Sequence, residues 1–460
     1  MASTSDLIEI PDSIRDQHIY VPGKTRHGKS TLFHAMAYQD IKNGHGVCVI
    51  DPKGDLVQSL LHWIPEERKD DCIYFSMQKP VPIDFMSYPP ELKAKLVGDL
   101  KFVVTRGLDA NAAPLMDAII ENLIYTLLNA NEHPELNKPE NFKYRCTFLD
   151  IHRFLKNERR REFIREFVTD DELNAEWDVM PTAKECAPTL TRMNRFVRNP
   201  VLRRIFECPD PELKIADVMN QGKILLVNLA PLSEESKTVA TLLIGKIRQA
   251  ALERAGPDDE VLPKPRIPFR LYADEFQFYQ TSDFDEILSF AGGYGLHLTL
   301  ANQYFSKLSS EIQGAIDGNV GSFIIFKIGS KDRNSFAHIA QPYDSQSLLE
   351  LPKYQALYKI GDRLAIIKPT PAPPPAPKHS YAGYIRTRTL DLYSCKSDPR
   401  RHNPDSGKPE PEGTLLPNEA EAAGSRRAGT VFRPPKQGSR TPPPKPRPEP
   451  NRHSNDKPDA

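Results

Sequence analysis

The stretch that most limits how this chain can fold is Gly23–Ser30, GKTRHGKS, with the spacing Gly-x-x-x-x-Gly-Lys-Ser. It follows an apolar segment (HIYVP) and opens a helical one (STLFHAMAYQDI). A strand, a glycine loop and a helix in that order form an anion cradle: backbone N–H groups turn inward and the helix N-terminus adds its positive dipole end. Gly23, Lys24, Thr25, Arg26, His27, Gly28, Lys29, Ser30 and Thr31 are therefore the candidate nucleotide-binding residues. In such a loop the lysine, here Lys29, contacts the β and γ phosphates, and the hydroxyl after it, Ser30, ligates Mg²⁺. The expected cofactors are ATP and Mg²⁺. Arg26 and His27 stand where such loops usually carry small residues.

Short apolar runs elsewhere alternate with helical patterns, as in a parallel sheet covered by helices on both faces. The candidate strands are 17–21, 46–50, 73–75, 223–229, 269–273, 296–300, 322–327 and 364–368. Residues 90–215 break the alternation. Met116, Ile119, Ile120, Leu123, Ile124, Leu127 and Leu128 recur at helical spacing, and 151–167 and 189–206 read as Arg-rich helices. From Pro369 onward proline is too dense for a helix or a central strand. A short ordered piece at 381–393 precedes a tail too poor in large apolar residues to repay the entropy of folding. The expected organisation is 1–88, the first part of a nucleotide-binding domain; 89–215, an all-helical insertion; 216–368, the second part; and 369–460, a Pro-rich, largely disordered tail.

A phosphate loop needs carboxylates to hold the metal and activate water. The run 269–273 is apolar apart from Arg270 and leads directly into Asp274 and Glu275. That places Asp274 beside the Mg²⁺ and Glu275 where it can act as the catalytic base on an attacking water. Gln303 follows the apolar run 296–300 and Ala301-Asn302, a position from which an amide can sense the γ-phosphate. A guanine-reading Asn-Lys-x-Asp motif has its nearest match in Asn137-Lys138-Pro139-Glu140, which ends in Glu and follows no strand, so GTP is not expected.

Composition excludes several alternatives. Lys plus Arg equals Asp plus Glu at 61 each, so net charge announces no nucleic-acid partner. No apolar run approaches the ~18 residues of a membrane-spanning helix, and the N-terminus lacks a signal-type stretch. The six cysteines are scattered without a C-x-x-C pair, which argues against a zinc site or a disulfide framework and fits a reducing cytoplasm.

With these elements in place, the chain resembles the HerA/FtsK superfamily of ring-forming DNA motors, and most of all the TraG/TraD-like coupling ATPases of type IV secretion and conjugation. The resemblance spans roughly residues 12–370. It rests on the Asp51-Pro52-Lys53-Gly54-Asp55 segment, GKILLVNLAPL (222–232), LYADEFQFY (271–279) and YGLHLTLANQY (294–304). It implies an α/β P-loop NTPase of RecA-like build with an all-α insertion, hydrolysing ATP between the subunits of a homo-hexamer that threads DNA. It assigns phosphate and Mg²⁺ binding to Lys29 and Ser30, Mg²⁺ support to Asp274, the base to Glu275 and the sensor to Gln303. Relatives often carry N-terminal membrane helices; here any attachment to the inner membrane is expected through a partner. Many also carry a basic residue before Tyr-Gly-Leu, where this chain has Gly292 and Gly293, so a trans-acting arginine finger is expected from Arg333, with Lys331 second. The residues offered for DNA contact are Arg192, Arg195, Arg198, Arg203, Arg204 and Arg159–Arg161, although Arg-rich helices are more often solvated faces. The alternative is an ATP-driven module that grips or recruits proteins of a secretion machinery through the insertion and the tail.

Overall fold

Strands buried on both faces favour apolar side chains, and that is the prevailing character of the segments forming the middle of the sheet in this computed structural model, with Arg270 and His297 among the buried exceptions. The structure describes residues 10–15, 17–105, 114–254, 266–281, 283–370 and 377–396. The strands are β1 (Ile19–Pro22), β2 (Gly46–Asp51), β3 (Cys72–Ser76), β4 (Ile224–Asn228), β5 (Phe269–Ala273), β6 (Leu296–Asn302), β7 (Ser322–Ile325), β8 (Gln355–Ile360) and β9 (Ile366–Pro369). Every residue of β1, β2, β4, β5, β6 and β7 is buried. The strands form one nine-stranded sheet in the order β3-β4-β2-β5-β6-β1-β7-β8-β9. All pairings from β3 to β7 are parallel, and β8 runs antiparallel to both β7 and β9.

Helices α1 (Asp12–Arg15), α2 (Lys29–Lys42) and α3 (Asp55–Leu61) accompany the first strands. Between β3 and β4 the described elements are all helical: α4 (Lys93–Thr105), α5 (Pro114–Glu132), α6 (Asp150–Lys156), α7 (Glu158–Glu166), α8 (Asp171–Ala175), α9 (Ala183–Arg198), α10 (Pro200–Phe206) and α11 (Ile215–Asn220). The expected helix 151–167 is two helices because the Asn157 side chain accepts the Arg160 N–H and starts a new one. The expected 189–206 likewise divides at Asn199, which caps Val201 and Leu202 ahead of Pro200. Its first half begins earlier than expected, at a capping box of Thr182 and Glu185. Phe148, Phe196 and Phe206 meet at 5.0–5.6 Å between ring centroids and knit these helices together.

After β4 come α12 (Glu234–Glu253), α13 (Asp283–Phe290), α14 (Ser310–Asn319), α15 (Ala337–Ala340), α16 (Ser347–Glu350) and α17 (Ala382–Tyr393). α17 is the ordered piece expected at 381–393. It covers the edge strand β3: the Tyr74 N–H donates to Thr389 Oγ1, and Arg386 lies over the Tyr74 ring. β8 was not expected, because Gln355 and Lys359 interrupt its apolar residues. The cysteine reading also changes: Cys208 and Cys395 form a disulfide, with Cα atoms 5.7 Å apart. Pro371, Pro373, Pro374 and Pro375, and the tail beyond 396, lie outside the described residues. No described helix is long and apolar enough to cross a membrane.

Candidate functional site

The sheet order assembles the site. β5 and β6 lie between β2 and β1, so the carboxyl ends of these four parallel strands open side by side, where ligands settle in such sheets. From β1 comes the phosphate loop, from β2 the Asp51–Asp55 turn, from β5 Asp274 and Glu275, and from β6 Asn302 and Gln303.

The loop is held on the sheet by its backbone. The Gly23 N–H donates to the Asn302 carbonyl at 3.1 Å and the Lys24 N–H to the Lys327 carbonyl at 2.7 Å. Gly28 has φ +118°, and a Cβ there would come within 2.9 Å of the Phe326 ring and 3.2 Å of the Tyr354 ring, so only glycine fits. Arg26 takes a left-handed φ of +60°, and the His27 ring nitrogen Nδ1 lies 2.8 Å from the Thr25 carbonyl. Lys29 is buried and curls over the loop, donating to the Gly23 and Lys24 carbonyls at 2.5 and 3.3 Å. Burial lowers its pKa, while Glu275 and Asp274 push the other way. Ser30 is exposed on the first turn of α2.

Glu275 is the hub. It sits in the left-handed region (φ 46°, ψ 42°), which is costly for a non-glycine residue, and its side chain is buried. Oε1 accepts from Lys53 Nζ at 2.8 Å and from Gln303 Nε2 at 2.7 Å, and Oε2 accepts from Gln277 Nε2 at 2.9 Å. Burial alone would raise its pKa; Gln277, Lys29, Lys53 and Gln303 together hold it below its ordinary value. Asp274 behaves oppositely. Burial, reinforced by the neighbouring Glu275 and Asp51 carboxylates, pushes it up to about 7 against Lys29 and Lys53. Asp51 accepts the N–H groups of Lys53, Leu56 and Val57, which anchors the turn that presents Lys53.

Behind the site, Arg15 donates to both oxygens of Asp40, at 2.5 and 2.8 Å, and the Tyr272 hydroxyl donates to the same carboxylate. This trio ties α2, which carries the loop at its head, to β5, which carries Asp274 and Glu275 at its end.

The donor set suits a nucleotide-bound Mg²⁺. Among the described residues no group of three or more His, Cys, Asp or Glu side chains could hold a metal by itself. Mg²⁺ bound through one or two protein oxygens plus phosphates needs no such group; the Ser30 hydroxyl and the Asp274 carboxylate are the oxygens that would hold it.

Lys29, Asp274, Glu275 and Gln303 are thus brought together. Arg333 is not among them: its guanidinium donates to Gln346 Oε1 at 3.2 Å. Arg266 lies beside Gly292 and Gly293: it donates to the Gly293 carbonyl at 2.9 Å and sits over the Tyr294 ring. Several of the arginines expected to meet DNA are engaged internally. Arg160 pairs with buried Asp150 at 2.9 Å, Arg203 pairs with Glu207 at 2.9 Å, and Arg195 donates to the Val103 carbonyl. Arg159, Arg198 and Arg204 are exposed. Nothing in the sequence connects Lys53, within the Asp-Pro-Lys-Gly-Asp segment, to Glu275; a lysine in a turn after a buried strand is the available signal. Tyr354 carries no such signal.

No protein-family model matches the chain, and no curated protein does. Solved structures do. The fold is similar to that of the unbound bacterial conjugative coupling protein TrwBdeltaN70, at TM-score 0.58 and 13% identity over 83% of this chain and 91% of that one. The plasmid coupling protein TrwB in complex with ADP and Mg²⁺ gives TM-score 0.55 and 14% identity, covering 81% and 88%. VirB4 of Thermoanaerobacter pseudethanolicus gives TM-score 0.50 and 13% identity, covering 77% and 90%. The chain therefore has the P-loop NTPase fold of these proteins: a mostly parallel sheet flanked by helices.

Proposed function

We propose that this chain is an ATPase of type IV secretion or conjugation, a motor that hydrolyses ATP between the subunits of a homo-hexameric ring and drives DNA through it. The observation that carries the reading is the convergence of Lys29, Asp274, Glu275 and Gln303 at the carboxyl edge of one parallel sheet. Its fold is shared with TrwB, which has been captured with ADP and Mg²⁺. In this reading the loop 23–31 cradles the phosphates, and Lys29 leaves the Gly23 carbonyl for them. Ser30 and Asp274 hold Mg²⁺, which supplies neutralisation of the charge that develops on the transferred phosphoryl group. Glu275 takes the proton of the attacking water. Gln303 and Lys53, both bonded to Glu275, hold it in line and register the loss of the γ-phosphate. Arg333 and Arg266 are the candidates for a trans-acting finger. The protein acts in the cytoplasm and reaches the inner membrane through a partner.

The alternative, ATP-driven handling of secretion proteins, draws support from the arginines engaged inside the helical region. Steady-state ATP hydrolysis with and without DNA, across a salt series, separates the two. Stimulation that falls steeply with salt supports the DNA motor; an identical rate with and without DNA refutes it. The particle mass with ATP and with DNA tests the ring.

A further inference from the structure

Tyr354 occupies a position that a tyrosine does not favour. It follows Pro352-Lys353 in a turn closed by the Gln355 N–H on the Pro352 carbonyl, and it takes φ +60°, where glycine or asparagine is preferred. The turn is pinned on both sides: the Tyr354 N–H donates to the His27 carbonyl of the phosphate loop at 2.9 Å, and its carbonyl accepts from the Thr370 N–H at 2.8 Å. One edge of the ring rests against Gly28, yet Tyr354 is 54% exposed. Strain of this kind persists where the surroundings enforce it, and an aromatic ring held open to solvent beside a phosphate cradle is a place for it to be used.

The sheet order gives the direction. β5 and β6, with Glu275 and Gln303, lie on one side of β1, and β7 and β8, which Tyr354 immediately precedes, lie on the other. A triphosphate whose γ end faces Glu275 sends its nucleoside out on the β7–β8 side. We infer that Tyr354 is the platform on which the nucleotide base stacks, an assignment that rests on the nucleotide-binding reading of the loop. A π face reads no base edge, so the platform itself does not discriminate adenine from guanine, and the chain's lack of a guanine-reading Asn-Lys-x-Asp motif does not bear on it.

The test uses the full chain and three probes: MgATP, MgGTP and magnesium tripolyphosphate, with affinities measured by calorimetry. Replacing Tyr354 with Ala is expected to weaken MgATP and MgGTP by the same factor, about tenfold or more, and to leave tripolyphosphate unchanged. Tyr354→Phe retains wild-type affinity. Tyr354→Gly loses nucleotide affinity like Ala while its melting temperature equals or exceeds that of wild type, because glycine relieves the backbone. Wild-type affinity for MgATP in the Ala variant overturns the platform, as does an equal loss for tripolyphosphate. A wild-type chain that binds none of the probes overturns instead the nucleotide reading beneath it.

Discussion

Replacing Glu275 with Gln separates chemistry from architecture at this site. The carboxylate receives Lys53 and Gln303 on one oxygen and Gln277 on the other. An amide in the same pose keeps its oxygen under the first two donors and turns an N–H₂ toward Gln277. The Gln277 Oε1 atom is buried without a partner, so a flip of that amide gives the new N–H an acceptor. No hydrogen bond need be lost: the bonds from Gln303 and Gln277 become neutral ones, and the bond from half-exposed Lys53 loses its ion pair while keeping a charged donor. The cost comes to about 1 kcal/mol. Removal of the proton acceptor is a larger effect: hydrolysis should fall about 10²- to 10⁴-fold, or about 3–5 kcal/mol of transition-state stabilisation. MgATP should bind at least as tightly, since a negative charge beside the γ-phosphate has gone. The assay is phosphate release by the full chain, with calorimetric ATP binding and thermal unfolding in parallel. Unchanged hydrolysis refutes the base assignment; a fall in rate accompanied by loss of both ATP affinity and melting temperature assigns Glu275 a structural role instead.

The remaining predictions concern the surroundings of that carboxylate. Lys53→Ala frees Glu275 Oε1 from one donor and should lower kcat by about tenfold with little change in melting temperature, because the lysine is half-exposed; a change in KM alone would contradict a positioning role. Gly28→Ala drives a methyl into the Phe326 and Tyr354 rings and should abolish ATP binding, measured by calorimetry. Burial would raise the Asp40 pKa, but His45, Arg15 and Tyr272 hold it down at about 2. Its contribution to stability is therefore complete above the unfolded value near 4 and is lost as pH falls from there toward 2. Asp40→Asn should cost about 3 kcal/mol at neutral pH by leaving Arg15 uncompensated, and should flatten that part of the acid unfolding curve. Arg266→Ala and Arg333→Ala, compared in the assembled particle, identify the finger: the true one lowers kcat without lowering ATP affinity.

The features legible in the sequence are those whose physics is local. The phosphate loop is readable because strand, glycine spacing and helix are contiguous, Asp274 because it follows an apolar run directly, and Gln303 because it comes after such a run and Ala301-Asn302. Lys53 and Glu275 are 222 residues apart, and only the sheet order, which sets β2 beside β5, makes them neighbours. β8 escaped because a strand near a sheet edge tolerates Gln355 and Lys359 at half-buried positions. The arginines of the helical region looked like a binding face, yet Asp150, ten residues before Arg160, pairs with it, and Glu207 pairs with Arg203 one turn before it and with Arg153 from a different helix. Asn157 and Asn199 cut two expected helices through caps that a periodicity count does not register.

The Cys208–Cys395 bond turns the stretch between those residues into a closed loop of covalent chain containing β4 to β9, while β1, β2 and β3 remain on an open arm. The sheet interleaves the two: β4 lies between β3 and β2, and β1 lies between β6 and β7. The arm carries Lys29 and Lys53; the loop carries Asp274, Glu275, Gln303 and Tyr354. The site is thus closed between two topologically different pieces of one polymer. A single backbone cut anywhere within the loop leaves both fragments joined, and they come apart on a gel only once the sulfurs are reduced.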